Sequence, residues 1–124
     1  MRDPAFSLKG LHQLTGGNPV LERRLLTELF NSNRSDRQAL LALTPSGERQ
    51  SFLDMAHKIK GAARIVQAAR LIDSCEALES ACHEVFHRAN VTECSEAVGS
   101  AMLELEQALQ QQLRQNDDSK MKEA

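Results

Sequence analysis

His57, Lys60 and Gly61 are the residues whose types and spacing suggest chemistry in this sequence. A solvent-facing imidazole can attack phosphorus, and phosphoryl transfer needs mainly in-line access and neutralisation of charge. On a helix, Lys60 would place an ammonium on the same side as His57. Gly61, one turn after His57, would leave space beside the imidazole. The group therefore fits a phosphoryl acceptor, although an exposed histidine near a lysine is also common on helix surfaces that have no function.

The apolar residues around His57 predict which way it points. They recur at intervals of three and four, the helical period, and comprise Phe52, Met55, Ala56, Ile59, Ala62, Ala63 and Val66. At about 100° per residue, His57, Lys60 and Arg64 then project toward solvent. A glycine inside a helix costs about 1 kcal/mol relative to alanine. Helix stability therefore does not account for Gly61, which indicates a role for the missing side chain.

Five helices are predicted to position this group, over 5–14, 19–43, 48–66, 68–87 and 92–116. Asn18 before Pro19 is a start signal for the second helix, and Ser46 and Thr92 are candidate N-caps for the third and fifth. Short connections favour antiparallel neighbours. The expected fold is therefore all-α: an antiparallel four-helix bundle with a short additional N-terminal helix, over residues 1–116, followed by a polar, disordered tail over 117–124.

Two apolar strips are predicted on the second helix. The first is assigned to the core and comprises Leu21, Leu25, Leu29, Ala39, Leu40 and Leu43. The second is a candidate contact surface and comprises Val20, Leu26, Phe30 and Leu41.

Composition excludes several function classes. The chain has 124 residues, a formal net charge of −2, four Phe and neither Trp nor Tyr. A nucleic-acid surface needs aromatic faces or a basic excess, so nucleic acid is not an expected partner. Mixed charges with 41% hydrophobic residues argue against disorder.

The cysteines and the apolar runs indicate a cytoplasmic chain. Cys75, Cys82 and Cys94 are odd in number and form no CxxC pair, so neither a disulfide framework nor a zinc site is expected. Cys75 and Cys82 fall on an apolar stripe and are expected to be buried. The chain has no apolar run of membrane-spanning length and its N-terminus lacks a signal-peptide core, so no direct membrane contact is expected.

The run from Ala56 to Ala63, with its HxxKG core, resembles the signature of histidine-containing phosphotransfer (HPt) domains. The segment from Ala68 to Ile72, followed by Cys75 and by Ala77 to Glu79, is similar to the second half of that signature. The stretch LTGGN before a Leu-rich helix is similar to HPt domains at the C-termini of hybrid sensor kinases. The resemblance covers about residues 6–113.

The resemblance implies a phosphorelay role. His57 would accept a phosphoryl group from a receiver-domain aspartate and pass it to another receiver, with Lys60 and Gly61 stabilising and admitting the phosphoryl group. The domain would be a phosphocarrier without kinase activity or a cofactor of its own, because Mg²⁺ is expected on the partner receiver. It would lie in the cytoplasm, as part of a membrane-anchored parent kinase whose other domains are further partners.

Docking of the receiver is assigned to residues near His57. The candidates are Leu53 and Ile65, which lie off the core stripe of the third helix, together with Phe30 and Arg64. The family often has small residues where this sequence has Arg64 and Gln67. These departures bear on partner preference and on the turn into the fourth helix.

Two other interpretations stay open from the residues alone. Glu79, His83 and His87 are spaced by four on the polar face of the fourth helix, a spacing that can chelate zinc, although no HExxH pattern accompanies them and no metal ligand is assigned. A non-catalytic helical interaction or adaptor module would also explain the apolar stripes, but it leaves Gly61 unexplained.

Overall fold

The computed structural model describes residues 5–43, 48–84 and 88–123, and these form five helices. They are α1 (Leu8–Thr15), α2 (Pro19–Leu43), α3 (Arg49–Ile65), α4 (Ala69–His83) and α5 (Arg88–Glu123). In the bundle, α3 packs between α2 and α4, α5 packs on α2 and α4, and α1 lies against α2. The predicted all-α helical bundle is confirmed.

Recognisable signals lie at the start of each of the first two helices and at the end of α1. Ser7 caps α1, its Oγ accepting from the Lys9 amide at 3.2 Å, so α1 begins later than predicted. Gly16 ends α1 with φ of +62°, a left-handed conformation that glycine adopts without strain. Asn18 Oδ1 accepts from the amides of Val20 and Leu21 at 3.0 and 3.2 Å. The predicted bounds and N-cap of α2 are confirmed.

The structure differs from the prediction at the boundaries of α4 and α5. The residue before α3 is Glu48, and the proposed cap Ser46 lies outside the described residues. Helix α4 ends at His83 rather than continuing to 87. Helix α5 begins at Arg88, so Thr92 is inside the helix and its assignment as an N-cap is wrong. Helix α5 also continues to Glu123, past its predicted end at 116. The division into a domain over 1–116 and a tail over 117–124 stays a prediction.

The core lies between α2, α3, α4 and α5. The buried apolar face predicted for α3 is confirmed at Phe52 and Ile59, and the expected burial of Cys75 and Cys82 is confirmed on α4, where Leu71 and Leu78 are buried as well. The described part of α5 contributes Val91, Val98, Ala101, Met102, Leu105 and Leu109.

The apolar face of α2 was predicted wrongly at its N-terminal half. Leu26, assigned to a contact strip, has no exposed surface, whereas Leu21, assigned to the core, is 46% exposed. Helix α2 packs on α1, α3 and α5, so its buried arc is wider than the stripe a helix facing one neighbour would have.

Two buried polar residues connect α2 to its neighbours. Asn33 Nδ2 donates to the Met102 carbonyl of α5 at 2.8 Å. Asp36 Oδ1 accepts from Lys58 Nζ of α3 at 2.9 Å. The segment 31–36, NSNRSD, is rich in poor helix formers, yet it lies within α2. Those residue types serve contacts between helices, since a buried polar group needs a partner.

Across the described residues, no helix combines the length and the apolar character needed to cross a bilayer.

Candidate functional site

His57 lies on the exposed face of α3, as predicted. Its preceding neighbour Ala56 is fully buried and Ile59, two positions on, is 2% exposed. These two residues anchor the opposite face of α3 in the core, so the helix presents the imidazole to solvent. An imidazole in this position is accessible to a reacting group on another molecule.

Gly61 lies one turn after His57 and is also exposed. A Cβ added at Gly61 would meet no atom of the described residues within 4 Å, apart from its own helix backbone and chain neighbours. Packing among the described residues therefore gives no reason for a glycine at this position. The surface beside the imidazole is open, as a docking partner would require.

Lys60 departs from its predicted orientation toward solvent. Its side chain is only 12% exposed, and its Nζ lies 2.7 Å from Oε1 of Glu79 on α4, itself 22% exposed. The angles at this contact do not satisfy a hydrogen bond, so the attraction is chiefly between opposite charges. The long lysine stem lies along the protein surface and carries the ammonium toward α4.

The neighbouring Lys58 ties α3 to the other side of the bundle. Its Nζ lies 2.9 Å from Oδ1 of Asp36 on α2, and here the carboxylate is the buried member at 8% exposed, against 65% for the lysine. The two lysines hold α3 from both flanks. The two ion pairs therefore connect α3 to both α2 and α4.

The predicted docking residues are divided between surface and interior. Arg64 is exposed and Ile65 is 39% exposed. Leu53 and Phe30 are half-buried and pack on the core. Leu26 is buried and cannot join a contact strip, whereas Val20 and Leu41 of that strip are exposed.

An exposed apolar residue that sequence reasoning missed is Leu14 at the end of α1, 63% exposed. Its position beside the Gly pair gave a signal in the sequence, because an apolar residue at a helix end flanked by turn residues has little chain to bury it.

The turn after α3 is fixed by α1. The Ser7 amide donates to the Val66 carbonyl at 2.6 Å. A Cβ at Gly10 would collide with the Ile65 carbonyl oxygen, so the helices approach closely only because residue 10 is glycine. Gln67, flagged as a departure from the family, has φ of +53°. This left-handed conformation is strained for a residue with a Cβ.

In the structure, the first of the three candidate metal ligands is paired with a lysine. Glu79, predicted on the outer polar face of α4, is turned toward α3 and paired with Lys60. His83 is exposed, and His87 lies outside the described residues. Within the part of the chain that the structure describes, no group of three His, Cys, Asp or Glu side chains could hold a metal ion.

The thiol of Cys75, next to the Lys60–Glu79 pair, is buried and is held in its protonated form. Burial, and secondly the charge of Glu79, raise the pKa of Cys75 to about 12, with Lys60 opposing them. Burial likewise raises the pKa of the Cys82 and Cys94 thiols. A thiol is a poor nucleophile unless ionised, so nucleophilic chemistry in this region falls to His57.

Comparison with known proteins gives a family match and matches to sensor proteins. The family model of the Hpt domain matches residues 24–116, which include His57 and all of α3 and α4. Virulence sensor protein BvgS of Bordetella bronchiseptica is 40% identical over 75 residues. BvgS of Bordetella parapertussis and of Bordetella pertussis are each 39% identical over 75 residues. Each match covers 60% of this chain and 6% of the relative. No solved structure gives a significant match.

Proposed function

The chain belongs to the Hpt domain family, and on that premise we propose that His57 is its phosphorylated residue. The observation that carries the proposal is an exposed imidazole on α3 with the open position of Gly61 one turn on. The chain is a phosphocarrier module of two-component phosphorelay, which carries the phosphoryl group and does not generate it from a nucleotide.

The transfer step follows from the two groups involved. A nitrogen lone pair of His57 attacks the phosphorus of an aspartyl phosphate on a receiver domain, so an N–P bond forms as the aspartyl O–P bond breaks. The carboxylate leaves with the electron pair of the broken bond, and the imidazolium proton passes to solvent. The reverse steps deliver the phosphoryl group to the aspartate of a second receiver.

The surroundings of His57 serve this step by access and charge. Gly61 admits the receiver and the phosphoryl oxygens, and the Lys60 ammonium offsets their negative charge. Arg64 and Ile65, both exposed, lie about two turns beyond His57 on α3 and supply the edge of the docking surface. Mg²⁺ is held by the receiver, where it neutralises charge on the transferring group.

The parent protein is the remaining part of the proposal. The relatives are named sensor proteins, and this chain matches 6% of their length. We propose that it works as one module of a hybrid sensor kinase, on the cytosolic side of a membrane-anchored parent. Its partners are receiver domains and other domains of that parent.

The decisive experiment is labelling of the chain by a phosphorylated receiver. We expect an acid-labile, base-stable phosphoryl label that is lost in His57→Gln. His83→Gln is the matched control, because His83 is also exposed and lies at the end of α4. Label that persists in His57→Gln, or a chain that stays unlabelled while a known Hpt domain is labelled, would contradict the proposal.

A second arm tests where the metal acts. Chelation of Mg²⁺ is expected to stop labelling from the phosphorylated receiver but to leave labelling by phosphoramidate unchanged, because the small donor brings its phosphoryl group without a receiver. Loss of both reactions on chelation would place a metal requirement on this chain instead.

A further inference from the structure

Glu79 is a charged residue near the site that the transfer step does not use. It lies on α4, is 22% exposed, and holds the Lys60 ammonium at 2.7 Å. Lys60 follows His57 by three residues on α3, the spacing at which helical side chains meet. One ammonium therefore has a resident carboxylate on one side and the phosphoryl acceptor on the other.

Phosphorylation of His57 would create competition for this ammonium. A phosphoryl group adds a charge of about −1.5 to −2 at pH 7 and three acceptor oxygens. Lys60 is 12% exposed, and partly buried charges are screened less by water and salt than exposed ones. The Glu79 charge therefore weakens the stabilisation that Lys60 gives the phosphoryl group.

We propose that Glu79 is a positioning residue that draws Lys60 toward α4 and limits the stability of the phosphorylated state. This inference rests on the proposed role of His57. Its consequence is a phosphohistidine that is less stable than Lys60 alone would make it, which favours passage of the phosphoryl group to the next receiver.

The test compares the lifetime of the phosphorylated chain with and without the Glu79 charge. Phosphoramidate is the donor: its N–P bond breaks, ammonia leaves, and an N–P bond to His57 forms. Hydrolysis then transfers the phosphoryl group to water as inorganic phosphate. Glu79→Gln keeps the size and the acceptor oxygen but removes the charge. We expect the phosphohistidine half-life to lengthen about threefold or more, a size typical of one partly exposed ion pair.

Two controls separate this effect from a general change of charge or fold. Glu104→Gln removes the same charge from an exposed ion pair with Arg70, 2.8 Å long, and should leave the half-life unchanged. In a Lys60→Gln background, Glu79→Gln should lengthen the half-life less than in the wild type, because the coupling acts through Lys60.

A measurement on the unmutated chain keeps the proposal testable if Glu79→Gln fails to fold. The ¹⁵N resonance of Lys60 Nζ is expected to move when His57 is phosphorylated, since the ammonium changes partners, while that of Lys58 Nζ stays in place. The ³¹P resonance of the phosphohistidine should also differ between wild type and a folded Glu79→Gln.

The outcomes distinguish the two proposals. If phosphoramidate or a receiver labels His57 but Glu79→Gln leaves the half-life unchanged or shortens it, the role of Glu79 is wrong and that of His57 stands. An unmoved Lys60 resonance on phosphorylation overturns it equally. Absence of label at His57 from either donor overturns the proposed function itself.

Discussion

Gly10 and Gly61 are both helical glycines, yet the chain uses them in opposite ways. At Gly10 a Cβ would collide with the backbone oxygen of Ile65, so the contact between α1 and the end of α3 requires the glycine. At Gly61 a Cβ would meet no atom of the described residues within 4 Å beyond its own helix and neighbours. A helical glycine that packing among the described residues does not require points to a contact with another molecule.

The largest expected effect is a loss of stability on substitution of Gly10, the glycine that packing requires. Gly10→Ala should lower the free energy of unfolding by about 1–3 kcal/mol, because a backbone oxygen cannot move aside as a side chain can. Chemical denaturation measures the loss. The folded variant should still accept a phosphoryl group at the wild-type rate from phosphoramidate. An unchanged stability would mean that α1 does not depend on this close approach.

At the open position, Gly61→Ala should raise stability while slowing phosphoryl transfer. The variant should gain about 0.5–1 kcal/mol of stability from the better helix former. Transfer from a phosphorylated receiver should slow about tenfold, equivalent to about 1.4 kcal/mol in the barrier, because the methyl group intrudes on the docking surface. A time course of labelling by the phosphorylated receiver, with samples quenched at intervals, measures this rate.

Gly99 of α5 is the matched control for Gly61→Ala. A Cβ there would lie 4.0 Å from Leu41 Cδ2, an ordinary contact. Gly99→Ala should therefore keep or raise stability and leave transfer unchanged. Equal transfer rates in the Gly61 and Gly99 variants would remove the argument that the open position serves a partner.

Lys60 combines the two cases, since its side chain is largely buried, as the contact at Gly10 is, and it lies near the phosphoryl acceptor His57, as Gly61 does. Lys60→Met should cost about 1–2 kcal/mol of stability, because the partly buried Glu79 carboxylate loses its counter-charge. It should also shorten the phosphohistidine half-life. Lys58→Met, which strands the buried Asp36, should cost a similar amount and leave the half-life unchanged. A Lys60→Met variant with wild-type stability would show that the ion pair with Glu79 contributes little.

The sequence predicts those features of the fold and the site that depend on a single helix, and it does not predict those that depend on contacts between helices. The bounds of α2 and the outward direction of His57 follow from local signals, a cap and an apolar stripe. The burial of Lys60 does not, because it depends on which helix lies beside α3 and on a carboxylate nineteen positions away in the chain. The reversed burial of Leu21, predicted buried but exposed, and of Leu26, predicted on a contact strip but buried, has the same origin. Apolar residues surround much of α2, and only its three neighbours decide which of them are buried.

The smallest expected effect concerns a position where a glycine is absent. Gln67 has φ of +53°, in a turn closed by a hydrogen bond from the Ala68 amide to the Ala63 carbonyl at 2.9 Å. A left-handed residue with a Cβ costs about 1–2 kcal/mol, offset in part by the extra freedom glycine has in the unfolded chain. Gln67→Gly should therefore raise stability by about 0.5–1 kcal/mol, measured by denaturation, and leave phosphoryl transfer unchanged, because the turn lies ten residues beyond His57. A gain in stability accompanied by a changed transfer rate would instead make this turn part of the docking surface, on the same side of the comparison as Gly61.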